Sequence, residues 1–268
     1  MTQPMTSART STSQRLGNSE DVEESVRKAR QTAIEMMEKA GFDIGTKVKV
    51  VVDPRLPFMG YTMPQGDSFT IVVSGGAVGS GLLEGLLVHE MSHVYRIKTS
   101  HPSHNGQILE EAVDNLGKRV VLRDYQQKIV HDLLNDIQDL YADDISFKVL
   151  RTTPILESDQ MTRFLQDWVK DEPAKSRDAV MDSWTNASIL THNARAIAQM
   201  GRHRVEDIGS RAEQTNKRFL SQVSPRIAER FEYFRNLLQN LREDMTAEEY
   251  RKLLAEYLHQ FLEIAERN

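Results

Sequence analysis

Cysteine is absent from the 268 residues, which excludes disulfides, thiolate zinc sites, iron–sulfur ligation and a thiol nucleophile. Any metal ion would have to be held by histidine or carboxylate. No stretch of about 18 residues is both uncharged and strongly apolar, and residues 1–17 lack the apolar segment of a signal peptide. No membrane span is expected, and the cytoplasm is the default location. An excess of one charge is also missing: 34 Lys and Arg stand against 39 Asp and Glu, for a net charge of -5. That removes any global attraction to nucleic acid or anionic membrane. Aromatic residues are few, at 7%, but the hydrophobic set reaches 39% and charged residues 27%, which fits a soluble globular chain with a sizeable core.

Three regions follow from patterning. Residues 1–17 are rich in Ser and Thr without hydrophobic periodicity and read as a flexible leader. Residues 18–153 mix helix and strand. Ser19 opens a helix that carries Val22, Val26, Ala29, Ala33, Met36 and Met37 at helical spacing until Gly41 stops it. Lys47 to Val52 and Phe69 to Ser74 are β-branched runs bounded by turn residues, hence two strands. Leu82 to about Ile97 is helical, and after a loop holding His101, Pro102, Ser103 and His104 the chain from Ile108 to about Leu150 is helical almost throughout. Residues 154–268 show only amphipathic helices, with breaks near Pro173, Gly201 to His203, Pro225 and Thr246. The expected class is α+β, a small sheet with helices followed by an all-helical C-terminal half. The Arg202 to Arg204 cluster reads as solvated surface.

The chemistry is concentrated at His89, Glu90, Met91, Ser92 and His93, an HExxH pentapeptide on the second helix. Four residues are about one helical turn, so both imidazoles project from one face and can grip one zinc ion. Glu90 lies beside them to take a proton from metal-bound water. Chance would supply such a pentapeptide only about 0.02 times in a chain of this composition. The alternative is a solvated polar face, which the apolar neighbours Leu86, Leu87, Val88 and Val94 argue against.

A third ligand must come from elsewhere. Asp139 and Asp143 lie four apart in NDIQDLYADD, so one could bind metal while the other orients a ligand histidine through its free N–H. Glu110 and Asp114, with Glu111 adjacent, have the same spacing. His101 or His104 would instead complete a three-histidine site.

With HEMSH as a first motif and DLYAD at Asp139 to Asp143 as a second, the chain resembles the gluzincin metallopeptidases, specifically those whose second motif is ExxAD. The resemblance spans residues 47–145 and implies a zincin-like metallopeptidase domain over residues 18–153, ahead of a helical domain over 154–268. It implies His89, His93 and Asp139 as ligands of a single Zn2+, Glu90 as general base and Asp143 as the partner that orients a ligand histidine. It further implies a peptide or protein substrate paired with an edge strand beside the motif helix. FTIVVS is the segment placed for that pairing, its other role being plain sheet core. Asp stands here where the family has Glu; being one methylene shorter, it must lie closer to the ion or act through water, which keeps Glu110 as a rival ligand. The membrane spans common in that family are missing. The whole chain also resembles an uncharacterised archaeal set of HExxH proteins, which implies no activity. Arg96 and Thr99 occupy the positions where a metzincin needs Gly and a third His, and a deformylase-like site would need cysteine.

Hydrolysis also calls for an oxyanion donor, for which Tyr95, Tyr141, His192 and Arg195 are candidates. A rival expectation, from a different class, is a non-catalytic binding or scaffold protein that offers its C-terminal helices to a protein partner.

Overall fold

The stripe Val26, Ala29, Ala33, Met36 and Met37 buries one side of α1 (Ser19–Lys39). Gly41, at φ 87°, turns the chain out of it: its N–H donates to Glu38 O and the Phe42 N–H to Met37 O, a closure that needs the left-handed region only glycine enters freely. The structure, a computed structural model, describes residues 19–118, 120–153 and 158–266. The leader expected over residues 1–17 and the boundary at Pro154 lie outside the described residues.

Three strands, β1 (Val48–Asp53), β2 (Gly60–Gln65) and β3 (Ser68–Ser74), form one sheet in the order β1-β3-β2, with β3 parallel to β1 and antiparallel to β2. β3 is the FTIVVS segment, and it is the central strand. Its backbone is paired on both sides, so it cannot accept a substrate strand. The edge beside the motif helix is β2, which carries Pro64, a residue confined to positions where a missing N–H does no harm.

The rest of the described residues are mainly helical: α2 (Leu83–Lys98), α3 (Gly106–Gly117), α4 (Asp124–Arg151), α5 (Ser158–Trp168), α6 (Ala179–His203), α7 (Arg211–Leu220), α8 (Pro225–Ala228), α9 (Phe231–Gln239) and α10 (Ala247–Ala265). A 3-10 turn at Pro102–His104 joins α2 to α3. The class is α+β, a small sheet with a helical C-terminal half. Among the described residues no helix is long and apolar enough to cross a membrane.

Two apolar cores result. One packs α1, the sheet and α2 around Ala33, Met37, Ile71, Leu87 and Met91. The other gathers α3 to α10 around Ile137, Leu140, Trp184, Phe219, Phe234 and Phe261. α4 belongs to both: Ile145, Val149 and Leu150 enter the first core, while Val130, Leu133, Ile137 and Leu140 enter the second. Its middle, with Asp139 and Asp143, lies where the two cores meet. Arg202, expected at the solvated surface, is mostly buried and forks onto Asp144 of α4 at 2.5 and 2.6 Å, so it ties α6 to α4.

α6 also carries two histidines outside the HExxH motif, His203 buried and His192 half-buried. His203 stacks on Phe147 at 3.9 Å, and His192 donates from Nε2 to Trp168 O at 3.1 Å. Burial pushes each down to about 4, with Lys170 and Arg195 adding to the effect at His192 and Asp144 opposing it at His203. The unfolded value lies near 6.5, so the unfolded chain takes up these protons first as the pH falls. The stability that these two rings carry is therefore intact above about 6.5 and declines toward pH 4, by up to about 1.4 kcal/mol per pH unit and per histidine. Urea unfolding at pH 7, 5.5 and 4.5 will show this decline, and His192→Gln will make it shallower; a flat profile across that range would contradict the burial assigned to these rings.

Candidate metal centre

Leu83, Leu87, Val88, Met91 and Val94 anchor α2 in the first core and leave His89 and His93 on the side turned toward α4. The two helices approach closely at Ser92 and Ser146, whose hydroxyls are 3.1 Å apart and buried. Small side chains there bring the carboxylates of α4 up to the imidazoles of α2. His89 Nε2 and His93 Nε2 face each other at 3.2 Å. Asp139 Oδ1 lies 3.4 Å from His93 Nε2 and 4.0 Å from His89 Nε2. These residues form a group whose ligand atoms all lie within 4.8 Å of one another, the grouping found among the described residues that could hold a metal. Side-chain exposures of 26%, 15% and 30% for His89, His93 and Asp139 leave the group open to solvent.

Each member is held from behind. His89 Nδ1 donates to Asp143 Oδ1 at 2.8 Å, and because a carboxylate only accepts, the neutral ring keeps its lone pair on Nε2. His93 Nδ1 lies 2.7 Å from His104 Nε2. Asp139 Oδ2 accepts from Arg195 of α6 at 3.1 Å; the same guanidinium pairs with Asp136 and lies 3.8 Å from Asp143 Oδ2. The Gln199 amide donates to Asp143 Oδ2. Arg195 is itself buried and sits over the Trp168 ring at 5.0 Å. The helical half thus supplies the charge that holds the α4 carboxylates in place.

Glu90 faces the sheet. It is 4% exposed, and Thr62 of β2 donates to its Oε2 at 2.7 Å. β2 runs so close that a Cβ on Gly60 would lie 3.6 Å from Glu90 Oε1 and only 2.9 Å from Val72 O. The edge strand and the expected base are therefore in direct contact.

The electrostatics follow the geometry. Burial opposes a charge on His89, but Asp143, through charge and hydrogen bond, with Asp139 and Glu90, outweighs it and lifts the ring to about 9. Burial acts to raise Asp139, yet Arg195 and the two histidines hold it well below the usual carboxylate range. Asp136 is pushed up, chiefly by burial, despite Arg195. Burial, reinforced by the positive field of Arg96, pushes His104 down to about 2.

The donor set fits a zinc ion. Two imidazole nitrogens bound tetrahedrally at 2.0–2.1 Å would stand about 3.3 Å apart, which matches the observed 3.2 Å. Lifted to about 9, His89 carries a hydrogen on Nε2 toward His93 Nε2 and Asp139 Oδ1, and a metal ion would take the place of that proton. The close approach of α4 brings Asp139 Oδ1 to 3.4 Å from His93 Nε2 and 4.0 Å from His89 Nε2.

Other expected residues fall elsewhere. Glu110 and Asp114 are exposed on α3, and Glu111 pairs with Arg251 at 2.6 Å. His104 stands behind His93 rather than beside the ligand atoms, and His101 lies beyond Ser103 on the same chain of contacts. Tyr95 packs edge-on against Phe42 at 5.1 Å, and the Tyr141 hydroxyl donates to Arg242 O at 3.1 Å. His192 is spent on Trp168 O. Of the four oxyanion candidates only Arg195 reaches the centre, and there it pairs with Asp139. Thr62, Asp136, Gln199 and the supporting place of His104 were not foreseen. The i, i+3 spacing of Asp136 and Asp139 was the one available signal for Asp136.

The chain belongs to a family of unknown function, DUF5781, whose model matches residues 23–263. No curated protein and no solved structure matches it.

Proposed function

We propose that this protein is a zinc-dependent metallopeptidase in which His89, His93 and Asp139 hold the ion and Glu90 is the general base. The observation that carries the reading is the convergence of two imidazole nitrogens and one carboxylate oxygen, each fixed from behind, with Glu90 of the same helix held against β2 by Thr62. Zinc held there would act as a Lewis acid and make a bound water acidic enough to lose its proton near neutral pH. With the ion in place, Glu90 would be the group that takes that proton, at Oε1, the oxygen that Thr62 does not engage, and that passes it to the leaving amine as the peptide C–N bond breaks. Thr62 fixes the carboxylate rotamer. The outer edge of β2, which pairs with no further strand among the described residues, would offer backbone groups to an extended peptide and bring it alongside Glu90.

The test uses the purified chain. It is expected to carry close to one equivalent of zinc and to cleave unstructured peptides. Asp139→Ala is expected to lose zinc affinity by at least a hundredfold, and Glu110→Ala to retain it. Zinc retained by Asp139→Ala and lost by Glu110→Ala would overturn the assignment of the third ligand; zinc bound without any cleavage would favour a scaffold role instead.

A further inference from the structure

Behind His93 runs a line of hydrogen bonds that none of the ligand assignments requires. His93 Nδ1 meets His104 Nε2 at 2.7 Å, His104 Nδ1 meets Ser103 Oγ at 2.8 Å, Ser103 Oγ meets His101 Nδ1 at 2.7 Å, and His101 Nε2 meets Glu243 O at 3.1 Å. The direction of the whole line is set at its far end. A carbonyl oxygen only accepts, so His101 Nε2 carries the hydrogen and Nδ1 the lone pair. The Ser103 N–H, donating to the same Nδ1 at 3.3 Å, requires that tautomer independently. The Ser103 hydroxyl must then donate to His101 and accept from His104 Nδ1–H. That leaves the lone pair of His104 on Nε2, where it accepts from His93 Nδ1–H, and the lone pair of His93 on Nε2, facing His89 and Asp139.

We infer that His104, Ser103 and His101 are positioning residues that lock His93 in its metal-binding tautomer, with the Glu243 carbonyl as the fixed end. The inference rests on the metal reading only for its purpose; the tautomer itself is a property of the metal-free chain. The lock has something to resist. Asp139 Oδ1, 3.4 Å from His93 Nε2, attracts a hydrogen onto that nitrogen, and yielding to it would reverse every bond in the line. His101 would then turn a lone pair toward the Glu243 carbonyl and lose the Ser103 N–H. The anchor is tied down separately, because the Glu243 carboxylate pairs with Arg96 of α2, whose guanidinium also donates to Tyr141 O at 2.8 and 3.0 Å. The segment between α9 and α10 thus reaches the candidate centre through three rings and a hydroxyl. This gives Ser103, fully buried, a reason to be polar.

Ser103→Ala and His101→Phe each cut the line without touching a ligand, and Phe keeps the ring packing on Tyr141. Two readouts apply to the full chain: nitrogen-15 spectra of the imidazoles without metal, and zinc affinity from competition with a chromophoric chelator. In wild type His93 is expected as the Nδ1–H tautomer; in both variants the Nε2–H form gains population and zinc affinity falls about 10- to 100-fold. Unchanged His93 signals and unchanged affinity in both variants would overturn the inference. If wild type binds no zinc, the metal reading fails, while the spectra still decide whether the line sets the tautomer.

Discussion

Glu90→Gln will lower peptide hydrolysis by about 10²- to 10⁴-fold, the range a positioned general base contributes, and will leave zinc affinity within a few fold of wild type. Gln is isosteric, and Thr62, whose hydroxyl donates to Glu90 Oε2, can hydrogen-bond to the amide as well, so the buried pocket between α2 and β2 stays filled and satisfied. What the substitution removes is the capacity to take a proton at the oxygen nearest Gly60. Steady-state cleavage of an unstructured peptide, with metal content measured on the same sample, separates the two effects. Cleavage within tenfold of wild type would remove Glu90 from the chemistry.

Arg195→Leu will destabilise the metal-free chain by about 3–5 kcal/mol, the penalty expected when one member of a buried charge cluster is removed. The guanidinium is the cation that Asp136, Asp139 and Asp143 share from the α6 side, and without it three carboxylates press on one another in a partly dry space. Excess zinc will recover part of the loss, because the ion restores positive charge beside Asp139 and binds only the folded chain; a hundredfold excess over Kd is worth about 2.7 kcal/mol. Chemical denaturation with and without zinc reads both numbers. A loss below about 1 kcal/mol would mean that the cluster is better solvated than its geometry indicates.

The parts of the centre that depend on local spacing were legible in the sequence. His89 and His93, like Asp139 and Asp143, are four apart on single helices, and helical geometry alone puts each pair on one face. The helix-ending Gly41 and the helical C-terminal half were legible for the same local reasons. The parts that depend on meetings between distant segments were not. Arg195 is 56 residues from Asp139, and nothing in its own helix tells a charge-balancing guanidinium from an oxyanion donor. β2 reads poorly as a strand because GYTMPQ holds Gly and Pro and a single β-branched residue; it is a strand because β3 pairs with it. FTIVVS was legible as a strand, but its place at the centre of the sheet is set by its neighbours. His101 and His104 read as loop histidines because their relation to His93 depends on how the chain reverses after α2, through Ser100 at φ 53°.

The most direct test of the centre is a crystal structure of the full chain grown with zinc, with anomalous scattering recorded on both sides of the zinc edge. One strong peak is expected, within 2.0–2.2 Å of His89 Nε2, His93 Nε2 and an oxygen of Asp139, with Asp143 and His104 still bonded to the outer nitrogens of the two rings. A peak elsewhere on the chain, or none at saturating zinc, would contradict it.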